Sequence, residues 1–257
     1  MKSPVVAGWI ERRVLVNYRV EPDALRGVLP EPFRPRLVRG QAIAGICLIR
    51  LRAVRPRGLP ALVGIGSENA AHRVAVEWDG EDGVCQGVYV PRRDTSSGLN
   101  VLAGGRLFPG VQRRARFDVR EWDTGLSVAV RSRDGETRIA VRGQVSRKLP
   151  PGSIFASLWE ASDFFQQGGL GYSPRNDLTG FEGMELRTEG WSVEPLEVDV
   201  VESSFFDDRT RFPEGSIAFD CALLMRSTAH EWHARPALAS RNPAPGLVPA
   251  FSVRSDG

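Results

Sequence analysis

Val16-Asn17-Tyr18-Arg19-Val20-Glu21-Pro22-Asp23-Ala24-Leu25-Arg26-Gly27-Val28-Leu29-Pro30-Glu31-Pro32 carries the chain from a strand straight into one short helix. Proline suits the first helical turn, where its fixed φ fits and its missing N–H is not needed. Pro22 therefore opens a helix over Pro22 to Val28, and a second proline, Pro30, closes it.

Outward from this opening the pattern is β. Ala115, Phe117 and Val119 alternate with Arg114, Arg116, Asp118 and Arg120, and Ile139, Val141 and Val145 alternate with Arg138, Arg142 and Gln144. Such alternation marks strands with one wet face. Residues 42 to 51 are apolar on both parities and read as a central strand covered on both sides. Gly183 to Val200 and Ser216 to Met225 are also strand-like. Two more helices are expected, over Ser97 to Leu107 and over Ser153 to Gln167, the latter with a serine cap and ending at Gly168-Gly169. No βαβ alternation implies a parallel nucleotide-binding sheet. The expectation is an α+β protein, predominantly antiparallel β, forming one domain over residues 1–235. The Pro, Ala and Ser-rich residues 236–257 read as a loosely held tail.

Composition narrows the function. The 257 residues are 42% hydrophobic and 25% charged, with a net charge of +3, which fits a globular chain with a sizeable core. No run reaches the roughly 18 apolar residues of a membrane span, and the amino-terminal stretch meets Pro4, Gly8 and Glu11 too early for a signal-peptide core. No membrane association and a cytoplasmic location are expected. Cys47, Cys85 and Cys221 are far apart and odd in number, and read as buried free thiols. Of the 34 basic residues only Lys2 and Lys148 are lysines. Arginine grips carboxylates and phosphates with a planar fork of donors, although genomic base composition produces the same bias. Residues 113 to 148 carry ten basic side chains against five acidic ones, but aromatics for base stacking are missing from the wet faces. No nucleic-acid partner is expected. Phosphate-loop, paired-cysteine and Gly-x-Ser-x-Gly motifs are absent.

Four stretches, in order, resemble the acetoacetate decarboxylase-like superfamily over about residues 10 to 228, and within it an uncharacterised group, the YqjF-like domain of unknown function 2071. They are the opening at residues 17–32, Gly87 to Asp94 with the helix leading to Arg106-Leu107-Phe108-Pro109, Tyr172-Ser173-Pro174-Arg175 before Met184-Glu185-Leu186, and Val201 to Ser204 before Phe212-Pro213-Glu214-Gly215. The resemblance implies a closed β-barrel or cone with a few short flanking helices, a small-molecule cavity and homo-oligomerisation. In the decarboxylases a lysine on the helix after the Tyr89 strand forms a Schiff base, made nucleophilic by a neighbouring lysine. Here that segment reads Asn100-Val101-Leu102-Ala103-Gly104-Gly105-Arg106-Leu107 and holds no lysine. Arginine cannot replace it, because a guanidinium stays protonated. The group's Glu-x-Asn-x-Arg run is matched here only at Arg73, within Asn69-Ala70-Ala71-His72-Arg73.

The candidate site follows from local chemistry. His72 shares strand parity with Val74, Val76 and Trp78, so it faces inward and suits acid or base work, with Glu68 as a second proton carrier. The competing reading is a core histidine, with Arg73 and Glu77 paired on the surface. Arg92 and Arg93 at a strand end, with Arg106 one helix later and Arg73 on the neighbouring strand, are assigned to a substrate carboxylate; the competing reading is an ion pair to Asp94 and a helix cap. Arg12-Arg13 resembles in position an arginine of the decarboxylase site, against a solvated strand end. His230 and His233 lack a third ligand, so no metal and no cofactor are expected. The expected function is binding, and transformation, of a small organic keto acid without decarboxylation. The alternative is a non-catalytic ligand-binding or structural module.

Overall fold

The computed structural model describes residues 4–102, 110–177 and 179–240. Strands β1 (Val6–Val20), β2 (Arg34–Pro35), β3 (Leu37–Val38), β4 (Gln41–Pro56), β5 (Ile65–Gly80) and β6 (Gly83–Thr95) precede helix α1 (Gly98–Leu102). Next come β7 (Gln112–Trp122), β8 (Gly125–Ser132), β9 (Arg138–Val145), helix α2 (Leu158–Gln167), β10 (Leu170–Pro174), β11 (Gly180–Thr188), β12 (Glu194–Ser203) and β13 (Ile217–Ala239). All thirteen strands among the described residues belong to one mixed, mostly antiparallel sheet. The fold is thus the expected β-rich α+β arrangement, but its strands form a ring that branches rather than a simple barrel.

Two closed circuits share the run β13-β1-β4-β5-β6. One returns from β6 through β7, β8, β9 and β12 to the first half of β13. The other returns through β10 and β11 to the second half of β13, where Gly180 pairs with Ala239 and Thr188 with His230. Closure satisfies the strand edges that would otherwise template aggregation. It also gives the shared run two dry faces, which is why β4 is buried at residues 42–46, 48 and 51.

One face meets the main core, where Val14, Val16, Ile46, Leu48, Val74, Val76 and Tyr89 pack against Leu126, Val128, Val141 and Phe212. The other carries Leu15, Ile43, Ala75 and Leu223 against Phe155, Phe164 and Phe165 from α2 and the segment before it. Helix α2 begins later than expected. Ser157, whose Oγ accepts from Glu160 N–H, is its cap, because Ser153 is taken by Asp220 at 2.8 Å. The opening helix shrinks to a 3-10 turn over Pro22–Leu25, and α1 is described only to Leu102. Strand β13 runs past Pro236 to Ala239, so the segment expected to hang loose from residue 236 starts as bonded strand; residues 241–257 lie outside the described residues. Among the described residues no helix is long and apolar enough to cross a membrane.

Candidate functional site

Two β-bulges aim the side chains on the shared strands. Ile10 pairs with Leu51 but Arg12 with Arg50, so Glu11 is an extra residue in β1. His72 pairs with Arg92 but Val74 with Tyr89, so β6 bulges at Val90-Pro91. A bulge shifts side-chain parity, and Pro91 lacks the N–H that an unbroken ladder would use. The first bulge puts Arg13 in line with Ile10 and Leu51. The second puts Arg93 in line with Val88, and Arg92 in line with Tyr89 on the opposite face.

Three cross-strand rows then build one wall: Arg13, Ile49 and Asn69; Leu15, Cys47, Ala71 and Arg93; Asn17, Gly45 and Arg73. Arg13, Cys47, Ile49, Asn69, Ala71, Arg73 and Arg93 of that wall line a cavity of about 130 Å³. Every strand of the second circuit contributes to it, with Gly171 from β10, Met184 and Leu186 from β11 and Trp232 from β13 opposite the wall. Gly45 is required locally, since a Cβ there would sit 2.2 Å from the Val16 carbonyl oxygen. Its bareness also lets the Arg73 side chain reach across to Asn17, to whose Oδ1 it donates.

The cavity is cationic. Arg73 is only 5% exposed, its Nε has no hydrogen-bond partner, and its guanidinium lies 5.0 Å from the Phe165 ring centre. Arg93 donates through Nε to Ser173 Oγ at 3.0 Å, and Arg13 donates to Cys47 Sγ at 3.4 Å. Among the described residues none of these three arginines pairs with a carboxylate. Burial lowers both Arg73 and Arg93 to about 10 because a charge removed from water is disfavoured. Asp94 also borders the cavity, but Arg92 grips its carboxylate at 2.8 Å. Among the described residues no lysine lines the cavity.

The sequence-predicted residues divide between the two faces. Arg73 and Arg93 meet at the cavity. Arg92 points to the opposite face, held by Asp94, Asp134 at 2.8 Å and Glu136 at 2.7 Å. His72 shares that face, stacked on Phe205 at 4.7 Å with Nε2 3.3 Å from Ser203 Oγ. Burial, with Arg92 and Arg211 nearby, drives His72 down to about 3, so it is neutral near pH 7. Glu68 is bound by Arg12 and Arg50, and Glu121 completes this four-residue ion network with Arg50 at 2.9 Å. Arg106 lies outside the described residues. Glu77 pairs with Arg34 at 2.9 Å rather than with Arg73.

Other expectations change. Arg12 is fully buried rather than solvated. Cys47 and Cys85 are half-buried, and only Cys221 is wholly enclosed. His230 and His233 fall on opposite faces of β13, His230 buried without a partner for either ring nitrogen and His233 2.8 Å from Glu231. Sequence reasoning missed Asn17 and Cys47, and weighed Arg13 only within the Arg12-Arg13 pair that resembles in position a decarboxylase-site arginine. The available signal was that Cys47 and Gly45 share one parity of an otherwise apolar strand.

Solved structures define the class of fold. The chain aligns with acetoacetate decarboxylase from Legionella pneumophila at TM-score 0.59 and 12% identity, covering 93% of this chain and 89% of that one. An acetoacetate decarboxylase-like enzyme from Sphingomonas wittichii aligns at 0.58 and 14%, covering 93% and 95%. The enduracididine biosynthesis enzyme MppR, complexed with pyruvate, aligns at 0.58 and 12%, covering 93% and 91%. At such identities the likeness establishes the acetoacetate decarboxylase-like fold alone. No curated protein matches the chain. The family is set by residues 8–215, which match the model of DUF2071, described as an uncharacterized conserved protein. The chain belongs to that family.

Proposed function

We propose that this protein binds a small organic acid of the keto-acid class in the cavity between Arg13, Arg73 and Arg93, without decarboxylating it through a Schiff base. The observation that carries this reading is three arginines lining one cavity, none of them paired with a carboxylate among the described residues, the bordering Asp94 being held by Arg92. A buried charge left unpaired is costly, and a ligand carboxylate supplies the missing partner through bidentate bonds. Size agrees: a cavity of about 150 Å³ accepts benzene, so about 130 Å³ suits an acid of a few heavy atoms. MppR, of the same fold, is described with pyruvate bound. Arg92, Arg106, His72 and Glu68 have no role in this reading. Both lysines of the chain, Lys2 and Lys148, fall outside the segment where the decarboxylases keep theirs, so borohydride with pyruvate is expected to leave no adduct.

A ligand-binding module without catalysis is the second reading. It is favoured by His72 and Glu68 being engaged away from the cavity. We further propose a cytoplasmic homo-oligomer, to be checked by fractionation and light scattering. Thermal shift with pyruvate, against neutral pyruvamide, tests acid binding. Pyruvate at a hundred times its Kd contributes about 2.7 kcal/mol, or roughly 5–10 °C in a chain of this size. Equal shifts, or none for any small acid, overturn the proposal. Stabilisation with product formation favours an enzyme, and stabilisation alone favours a binder.

A further inference from the structure

Among the described residues the cavity holds one thiol, Cys47, and its surroundings are unlike those of the other two. Cys47 stands at the middle of the cationic wall, in the same cross-strand row as Arg93, with Arg13 donating to its sulfur at 3.4 Å. Arg73 is one row away and lines the same cavity. Cys47 is half-buried and borders the open volume. Cys221 is enclosed and burial pushes its thiol up. Cys85 lies near the turn joining β5 and β6, away from the cavity. Reactive cysteines occupy partly exposed, electropositive surroundings, whereas enclosed ones are inert. An independent feature points to a ligand at this spot: Arg73, 5% exposed and lining the same space, keeps an unpartnered Nε and no carboxylate.

We propose that Cys47 is the covalent handle of this cavity, a nucleophile presented to acids that carry an electrophilic carbon beside the carboxylate. The inference rests on the reading of the cavity as an acid site. Arg13, Arg73 and Arg93 hold the carboxylate, and the sulfur meets the adjacent carbon. With an α-keto acid the step is a reversible addition. The S–C bond forms, the carbonyl π bond opens, and the thiol proton ends on the former carbonyl oxygen, giving a thiohemiketal with no leaving group and no net oxidation. With iodoacetate the step is a displacement. The S–C bond forms, the C–I bond breaks, iodide leaves with the bonding pair, and the thiol proton passes to solvent.

Iodoacetate and neutral iodoacetamide are nearly the same size and differ in charge, so the pair isolates the role of the arginines. The full-length folded protein is treated with each in turn, and labelling of each cysteine is followed by peptide mass spectrometry. The iodoacetate-to-iodoacetamide rate ratio at Cys47 is expected to exceed that of the urea-unfolded chain at least about tenfold, equivalent to ~1.4 kcal/mol. Pyruvate is expected to protect Cys47 and leave Cys85 unaffected. Arg93→Gln is expected to bring the ratio back toward the unfolded value; the wild-type ratio and pyruvate protection stand even if that variant does not fold. A Cys47 ratio equal to the unfolded chain's, or no labelling of Cys47 by either reagent, overturns the proposal. The acid-binding reading is judged separately by the pyruvate thermal shift of Cys47→Ser. A retained shift keeps that reading even where the labelling result overturns the covalent handle, and a shift missing from both wild type and Cys47→Ser removes the two together.

Discussion

Replacing Arg73 by methionine separates a side chain that supports the fold from one kept for a ligand. Burial lowers the Arg73 guanidinium from 12.5 to about 10, and at 1.36 kcal/mol per pH unit this disfavours the charged form by about 3 kcal/mol. The sign is destabilising. A cation whose folded value is depressed costs the fold its full penalty at all pH values below about 10, and the penalty fades only as pH rises from there toward 12.5. Methionine fills much of the same volume beside Phe165 without the charge. Against this gain, the variant loses the donation to Asn17 Oδ1, worth about 2 kcal/mol for a bond to a charged group. The balance is a stabilisation of about 1 kcal/mol, or roughly 2–4 °C in Tm for a chain of this size. The assay is differential scanning fluorimetry with and without pyruvate. Arg73→Met should melt slightly higher than wild type when empty and lose the pyruvate response, the trade of stability for function seen where a site is kept strained. A Tm several degrees below wild type would show that Arg73 holds the sheet together, and the argument from an unneutralised cation would fail.

Further outcomes follow from the same reasoning. His72 at about 3 and His230 at about 4 are both lowered chiefly by burial from 6.5, so their stabilising effect is complete above pH 6.5 and declines as pH falls toward 3–4. Urea unfolding should show stability falling by up to about 1.4 kcal/mol per pH unit for each histidine in that window, and His72→Phe should flatten the slope; an unchanged slope contradicts the neutral assignment. Glu68→Gln removes a partner of Arg12, which is 1% exposed, and should cost about 3 kcal/mol while the pyruvate-induced shift survives. Loss of the shift in a variant that remains folded would return Glu68 to the binding site.

How much of this was legible in the sequence depends on the range of the interaction involved. The alternating faces of β7 and β9 and the doubly apolar β4 arise from neighbouring residues and appear in the fold, whereas the proline-bracketed opening survives only as the 3-10 turn Pro22–Leu25. The absence of lysine from the segment after β6 is likewise a matter of composition alone. The helix starts were less legible, because Ser153 is diverted to Asp220, a partner 67 residues away.

The site was only half legible. Sequence alone determined that arginines cluster near the end of β6 and that His72 faces inward with Val74 and Val76. It could not say which face encloses the cavity, because adjacent residues on a strand point oppositely and a single bulge exchanges them. The bulge at Val90-Pro91 sends Arg92 to three carboxylates and Arg93 to the cavity. The bulge at Glu11 brings in Arg13, 60 residues before Arg73 in the chain. Those positions follow from strand pairings that exist only once both circuits have closed, so tertiary structure, rather than local pattern, decided which cations share one space.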